Sequence, residues 1–204
     1  HSRAASYAGG LSMEQVLEQH EEIDRLNQEL DGSFTVLKGI EVDILADGKL
    51  DYPDELMARF DLVVASVHSR FNLSQADQTA RILKALDHPY VDILGHPTGR
   101  LLLARDPYDL DLRTVVRAAA ERNVAIEVNA HPSRLDLDWR ELAAGLRHGL
   151  LTAINPDAHS PAGIDHIAHG VGIARKGWCS AAQVLNAWPL ERLQGWLRRR
   201  RGQA

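Results

Sequence analysis

The chain is poor in the features that would tie it to several large functional classes. It has one cysteine, Cys179, in 204 residues, which excludes an internal disulfide and a cysteine-rich zinc site, and which fits a reducing, cytoplasmic setting. No apolar run approaches the roughly 20 residues needed to span a bilayer, so no membrane partner is expected. No apolar core follows a basic segment near the start, as a secretory signal would require. Neither GxGxxG nor GxxxxGK[ST] occurs, which removes the usual nucleotide-cradling loops. Aromatic residues make up 5%, and Trp139, Trp178, Trp188 and Trp196 lie in or beside helical patterns, as packing residues rather than a base-stacking platform. A net charge of −5 offers no global attraction to nucleic acid, although bound metal ions can reverse the field locally. What remains is an ordinary globular composition, 45% hydrophobic and 25% charged, in a chain long enough for one domain.

Histidine is the exception: there are ten. Several stand where an apolar run ends. In Val91 to Arg100 a short apolar run is broken by Gly95, His96 follows, and Pro97 ends any strand because it cannot donate to a ladder. The same arrangement occurs at Leu62–His68 and Leu151–His159, and Glu41 follows the run Val36 to Ile40. In α/β folds the carboxyl ends of the strands are where sites assemble.

The rest of the chain reads as alternating helices and strands. Ser12 with Gln15 forms a capping box for a helix whose apolar stripe is Met13, Val16, Leu17, Ile23, Leu26 and Leu30. Strands are expected over Phe34–Asp43, Asp61–Val67, from Val91, over Val124–Asn129 and over Leu151–Asn155. Ser74, Asp111 and Asp138 cap the intervening helices, and Ser180 and Pro189 open the last ones. The Arg198–Arg201 run reads as a solvated helix end with a favourable dipole interaction. Buried strands alternating with helices indicate an α/β fold with a parallel sheet, and polar residues at every strand end favour a barrel over an open sheet.

The candidate site is His1, Glu41, His68, His96, Asp157 and His159. A lone histidine at a strand end is more often a cap or a packing residue. Several in register with two carboxylates point instead to a metal, and mixed imidazole and carboxylate ligation suits zinc, manganese or iron. Six donors exceed the needs of one tetrahedral ion, which implies two or more. Paired ions bridged by a carboxylate suit phosphate-ester hydrolysis, and Arg100 and Arg134 could take the remaining phosphate charge. His20 and His88 read as surface or structural, His131 lies near the rim, and Asn129 is either a support of the site or a turn former.

The motifs Gly39-Ile40-Glu41-Val42-Asp43, Ser66-Val67-His68-Ser69, Gly95-His96-Pro97 and Asp157-Ala158-His159-Ser160 together resemble the PHP (polymerase and histidinol phosphatase) family. The further matches His96–Arg100, Ile126–Ala130, Arg134–Leu137, Gly170–Trp178 and Leu185-Asn186 resemble the carboxyl-terminal PHP domain of bacterial family X DNA polymerases. The resemblance implies a distorted seven-stranded β/α barrel over residues 1–204, lacking its amino-terminal strand or strands, with polymerase domains upstream in the parent protein. It further implies two to three Mn2+ or Zn2+ ions. Glu41 would bridge two ions, His68 and His96 would hold one of them and Asp157 the other, and His1 and His159 would share a third. The implied activity is a metal-dependent 3′-to-5′ exonuclease and phosphoesterase on gapped or damaged DNA 3′ ends in repair. Two alternatives stand beside it: a small-molecule phosphatase of the histidinol-phosphate type, and a silent metal-stabilised scaffold for the polymerase.

Overall fold

The structure is a computed structural model, and it describes residues 1–5 and 9–202. Five strands form one parallel sheet: β1 (Gly39–Asp43), β2 (Leu62–Ser66), β3 (Ile93–Leu94), β4 (Ala125–Asn129) and β5 (Thr152–Asn155). Seven α-helices accompany them: α1 (Met13–Glu29), α2 (Asp54–Met57), α3 (Gln75–Leu86), α4 (Leu112–Glu121), α5 (Trp139–Leu146), α6 (Ile167–Lys176) and α7 (Leu190–Arg200). The strands neighbour one another in sequence order, each pair parallel. Such one-directional winding contrasts with a doubly wound sheet, whose strand order reverses at a switch point. The seven strands implied by the resemblance are not reached, since the described residues supply five.

Both faces of the sheet are covered, which is why its strands are nearly uninterrupted apolar runs. Val42, Val63, Ala65, Ile126, Val128 and Ile154 face one core with Ile82 and Leu86 of α3, Val115 and Ala119 of α4 and Leu142 of α5. On the other face Ile93, Ala125 and Ala153 pack against Leu185 and against Trp196 and Leu197 of α7. Adjacent residues such as Ala125 and Ile126 therefore serve opposite layers, the period-two alternation of a strand.

Local chemistry sets the helix starts. Ser12 and Gln15 form the reciprocal capping box of α1, with the Gln15 amide donating to Ser12 Oγ at 3.3 Å and the Ser12 amide to Gln15 Oε1 at 2.8 Å. The stripe of α1 is shallower than its periodicity predicts: Val16 and His20 are buried, while Met13 and Leu26 stay exposed. Ser74, Asp111 and Asp138 each cap the helix that follows.

Three expectations need correction. The first strand begins at Gly39, not Phe34, because Asn27 satisfies both backbone groups of Val36 (2.9 and 2.8 Å) and leaves none for a ladder. Trp178 is not a packing residue but projects into solvent, 89% exposed. The Arg198–Arg201 run is only half solvated. Arg198 and Arg199 are exposed, but the side chains of Arg200 and Arg201 are buried against Asp92, which the solvent does not reach. The terminal cations cap carbonyls of other elements, with Arg201 donating to Phe60 O and, at 2.9 Å, to Asp61 O, and Arg200 to Arg122 O and, at 2.6 Å, to Val91 O.

Candidate metal centre

The site lies at the carboxyl ends of the strands and is organised around Glu41. Parallel pairing of β1 with β2 sets Glu41 beside Val64, and β2 runs on from Ser66 towards His68. Gly95 then lets β3 pass close to β2, because a Cβ there would lie 2.3 Å from Ser66 Oγ and 2.8 Å from Val64 Cγ1. His96 follows at once. His1 reaches the group because the Ser2 amide donates to Glu41 O (3.0 Å) and Ser2 Oγ accepts the Asp43 amide (3.0 Å).

Three imidazole nitrogens surround one carboxylate. His96 Nε2 is 3.0 Å and His68 Nε2 3.3 Å from Glu41 Oε1, while His1 Nδ1 is 3.1 Å from Oε2. Among the described residues, His1, Glu41 and His68 each offer a ligand atom within 4.8 Å of the others, a group able to hold a cation. The rings of His1 and His96 each lie 5.1 Å from that of His68, and His159 stacks on His1 at 6.1 Å.

The electrostatics of the group follow from its packing. Burial opposes ionisation of Glu41, but hydrogen bonds and charge from His68 and His96 hold its carboxyl well below the ordinary carboxylate range. Burial likewise works against a charged His68, yet Asp43 on Nδ1 and Glu41 on the other side push it up to about 9. With the Nδ1 proton committed to Asp43, the Nε2 lone pair would face the Glu41 carboxylate and repel it. A proton or a cation between the two removes that repulsion, so these donors fit a metal ion.

Asp157 and His159 enter from the end of β5. Asp157 Oδ2 accepts from Asn129 Nδ2 (2.9 Å) and Arg134 Nε (3.1 Å), and His159 Nδ1 lies 2.9 Å from the Asp157 carbonyl. The His159 side chain is largely exposed. Glu41, His96 and Asp157 line a common cavity of about 330 Å³. Two residues of the site hold left-handed backbone, His96 at φ 23° and Asp157 at φ 52°. Such strain outside glycine is concentrated at functional positions.

Arg100 and Arg134 are placed differently from each other. Arg134 reaches the site through Asp157, and its buried Nη1 has no hydrogen-bond partner. Arg100 instead donates to Arg134 O (2.9 Å) and to Leu135 O, and so props the loop that carries Arg134. Among the other histidines, His20 is buried edge-on to Phe60, and His88 pairs with Asp54. His131 borders a second cavity together with Arg134, Asp157 and His159.

Glu127 is the functional residue that sequence reasoning did not single out. It is buried on β4 and accepts from the His96 amide (2.7 Å), Asn129 Nδ2 (3.1 Å) and Asn155 Nδ2 (2.8 Å). Burial pushes its carboxyl up, against the pull of His96 and the Asn155 hydrogen bond. It thus positions both His96 and the asparagine that holds Asp157. The available signal was a charge inside the otherwise apolar run Ala125–Val128.

No family model matches the chain. The chain is 42% identical over 199 residues to the DNA polymerase/3′-5′ exonuclease PolX of Bacillus subtilis, a match covering 98% of this chain and 35% of that protein. It is 37% identical over 98 residues to a probable phosphatase of Clostridium novyi (47% of this chain, 38% of that protein). To a probable phosphatase of Caldicellulosiruptor bescii it is 31% identical over 137 residues (63% of this chain, 55% of that protein). The chain is therefore similar, over nearly all of its length, to about a third of a much longer exonuclease-bearing polymerase and, over parts of it, to phosphatases.

Proposed function

We propose that this chain is a metal-dependent phosphoesterase domain of the PHP family, cleaving nucleotides from DNA 3′ ends as part of a family X polymerase in repair. The observation that carries the reading is the packing of His1, His68 and His96 nitrogens around the single Glu41 carboxylate. His1, Glu41, His68, His96, Asp157 and His159 would hold two or three ions, Mn2+ or Zn2+, with Glu41 bridging. When bound, such ions activate a water for attack on phosphorus and neutralise charge on the phosphoryl oxygens. The surrounding residues prepare that chemistry: Asp43 orients the His68 ring, Glu127 holds the His96 backbone, and Asn129 fixes Asp157. Arg134, which lines a cavity with Asp157 and His159, would take up phosphate charge, and Arg100 supports its loop from behind.

The similarity to the B. subtilis polymerase/exonuclease supports a DNA substrate and polymerase domains elsewhere in the same protein. Among the described residues no helix is long and apolar enough to cross a membrane. A second reading, a small-molecule phosphatase, is favoured by the similarity to probable phosphatases. Metal analysis of the purified protein, with hydrolysis of 3′-labelled DNA and of histidinol phosphate compared in Mn2+, separates the two. The expected result is metal-dependent release of nucleotides, reduced by roughly three orders of magnitude or more in Glu41→Gln and His96→Ala. Turnover of histidinol phosphate alone would select the second reading, and wild-type nuclease activity in His96→Ala would overturn the site.

A further inference from the structure

Thr98, two residues beyond His96, is gripped by Asp136. Oδ2 of that wholly buried carboxylate accepts both the Thr98 amide (2.9 Å) and the Thr98 hydroxyl (2.8 Å). Tyr108 fixes the same turn, its hydroxyl donating to Pro97 O at 2.6 Å and its amide to Thr98 O at 3.2 Å. The main chain of Asp136 exchanges hydrogen bonds with Asn129 (2.5 and 3.3 Å), the residue whose side chain holds Asp157. One residue thus touches the supports of both His96 and Asp157, which line one cavity with Glu41.

These contacts explain an acceptor at position 136 but not a charge. An asparagine oxygen could accept the same two bonds, and a buried carboxylate without a paired cation is costly. Oδ1 has no hydrogen-bond partner. Arg100, whose charge draws the Asp136 carboxyl down, donates to the Arg134 and Leu135 carbonyls instead. Burial pushes the same carboxyl up, and positive charge on His96 opposes that shift. The attraction is mutual: an anion at Asp136 favours positive charge on the His96 imidazole, whether a proton or a metal ion supplies it.

We propose that Asp136 is a positioning residue of the metal centre: its buried charge makes His96 a stronger ligand, and its bonds to Thr98 and Asn129 fix where His96 and Asp157 stand. The inference rests on the phosphoesterase reading, in which both of those residues hold ions. Asp136 itself touches neither the ions nor the substrate and acts only through its neighbours.

The test pairs Mn2+ titration calorimetry with urea denaturation in EDTA, so that metal affinity and stability are read separately. It uses the wild type, Asp136→Asn, Thr98→Val and Thr98→Ser. Asp136→Asn keeps the shape and an acceptor oxygen but removes the charge. Its Mn2+ affinity should fall by about 10–100-fold while its urea midpoint does not fall. Thr98→Val should lose about tenfold in affinity, and Thr98→Ser, which restores the hydroxyl, should recover it. Wild-type affinity in Asp136→Asn or in Thr98→Val would overturn the role of Asp136 and leave the metal centre standing. So would an affinity loss in Asp136→Asn that comes with a lower urea midpoint, the mark of a merely structural residue. A wild type that takes up no Mn2+ would reject the metal centre, and the role of Asp136 with it.

Discussion

Asp92 and Arg201 meet at 2.7 Å, joining the residue just before β3 to the end of the last helix across 109 positions of sequence. Asp92 also accepts the Val63 amide at 2.9 Å, so one buried carboxylate ties β2, β3 and α7 together. Arg201→Met removes the nearer cation and leaves the buried Asp92 with Arg200 alone, at 3.9 Å. Loss of one partner of a buried pair costs about 3–5 kcal/mol, an amount that urea denaturation should register directly. The double variant Asp92→Leu/Arg201→Met should recover only part of that loss, because the Arg201–Asp92 pair is then removed whole while Arg200 loses its carboxylate.

The same carboxylate carries a pH dependence. Burial pushes Asp92 up to about 6, against the pull of Arg201, compared with about 3.9 in an unfolded chain. Folding therefore takes up a proton between these values. The contribution of this group to stability is complete below about pH 4 and is lost as pH rises through 6, by about 3 kcal/mol in all. Relative to Asp92→Asn, the wild type should lose stability between pH 4.5 and 7.5 (values chosen to bracket roughly that window). Parallel stability curves for the two proteins would contradict the assignment.

Asp43 sets the tautomer and direction of His68. Asp43→Asn keeps the shape but removes the charge behind the imidazole. Metal affinity, followed by Mn2+ titration calorimetry, should fall by about 10–100-fold with little change in melting temperature. An unaltered titration would mean that His68 needs no support from Asp43.

Gly95 allows the close approach that brings His96 to Glu41. In Gly95→Ala the new methyl would meet Ser66 Oγ at 2.3 Å. Overpacking of this kind costs about 1–3 kcal/mol. It should also displace His96, so Mn2+ affinity should drop further than in a variant of equal stability altered away from the site. Equal affinities in the two would show that β3 can shift without moving His96.

The sequence by itself determined the α/β class, the parallel strands, the helix starts at Ser12, Ser74 and Asp111, and the order of polar residues at strand ends. These are local properties: a capping hydroxyl, a glycine or an apolar run acts on its own few residues. For the same reason Glu41, His68 and His96 could be named together, since parallel strands in register align their carboxyl ends, whereas the role of His1 came from the family resemblance. The tertiary structure decided where these local signals were overruled. Asn27 took the backbone groups of Val36 and shortened β1; Asp92 drew Arg200 and Arg201 out of solvent; and Arg100 was committed to the carbonyls of the Arg134 loop. Glu127 became a support of the centre only because β4 lies beside β3, where its carboxylate meets the His96 amide. In each case a polar group found its partner far along the chain. Periodicity and spacing describe neighbours in sequence, whereas a buried charge or amide must be satisfied by whatever packing brings within reach.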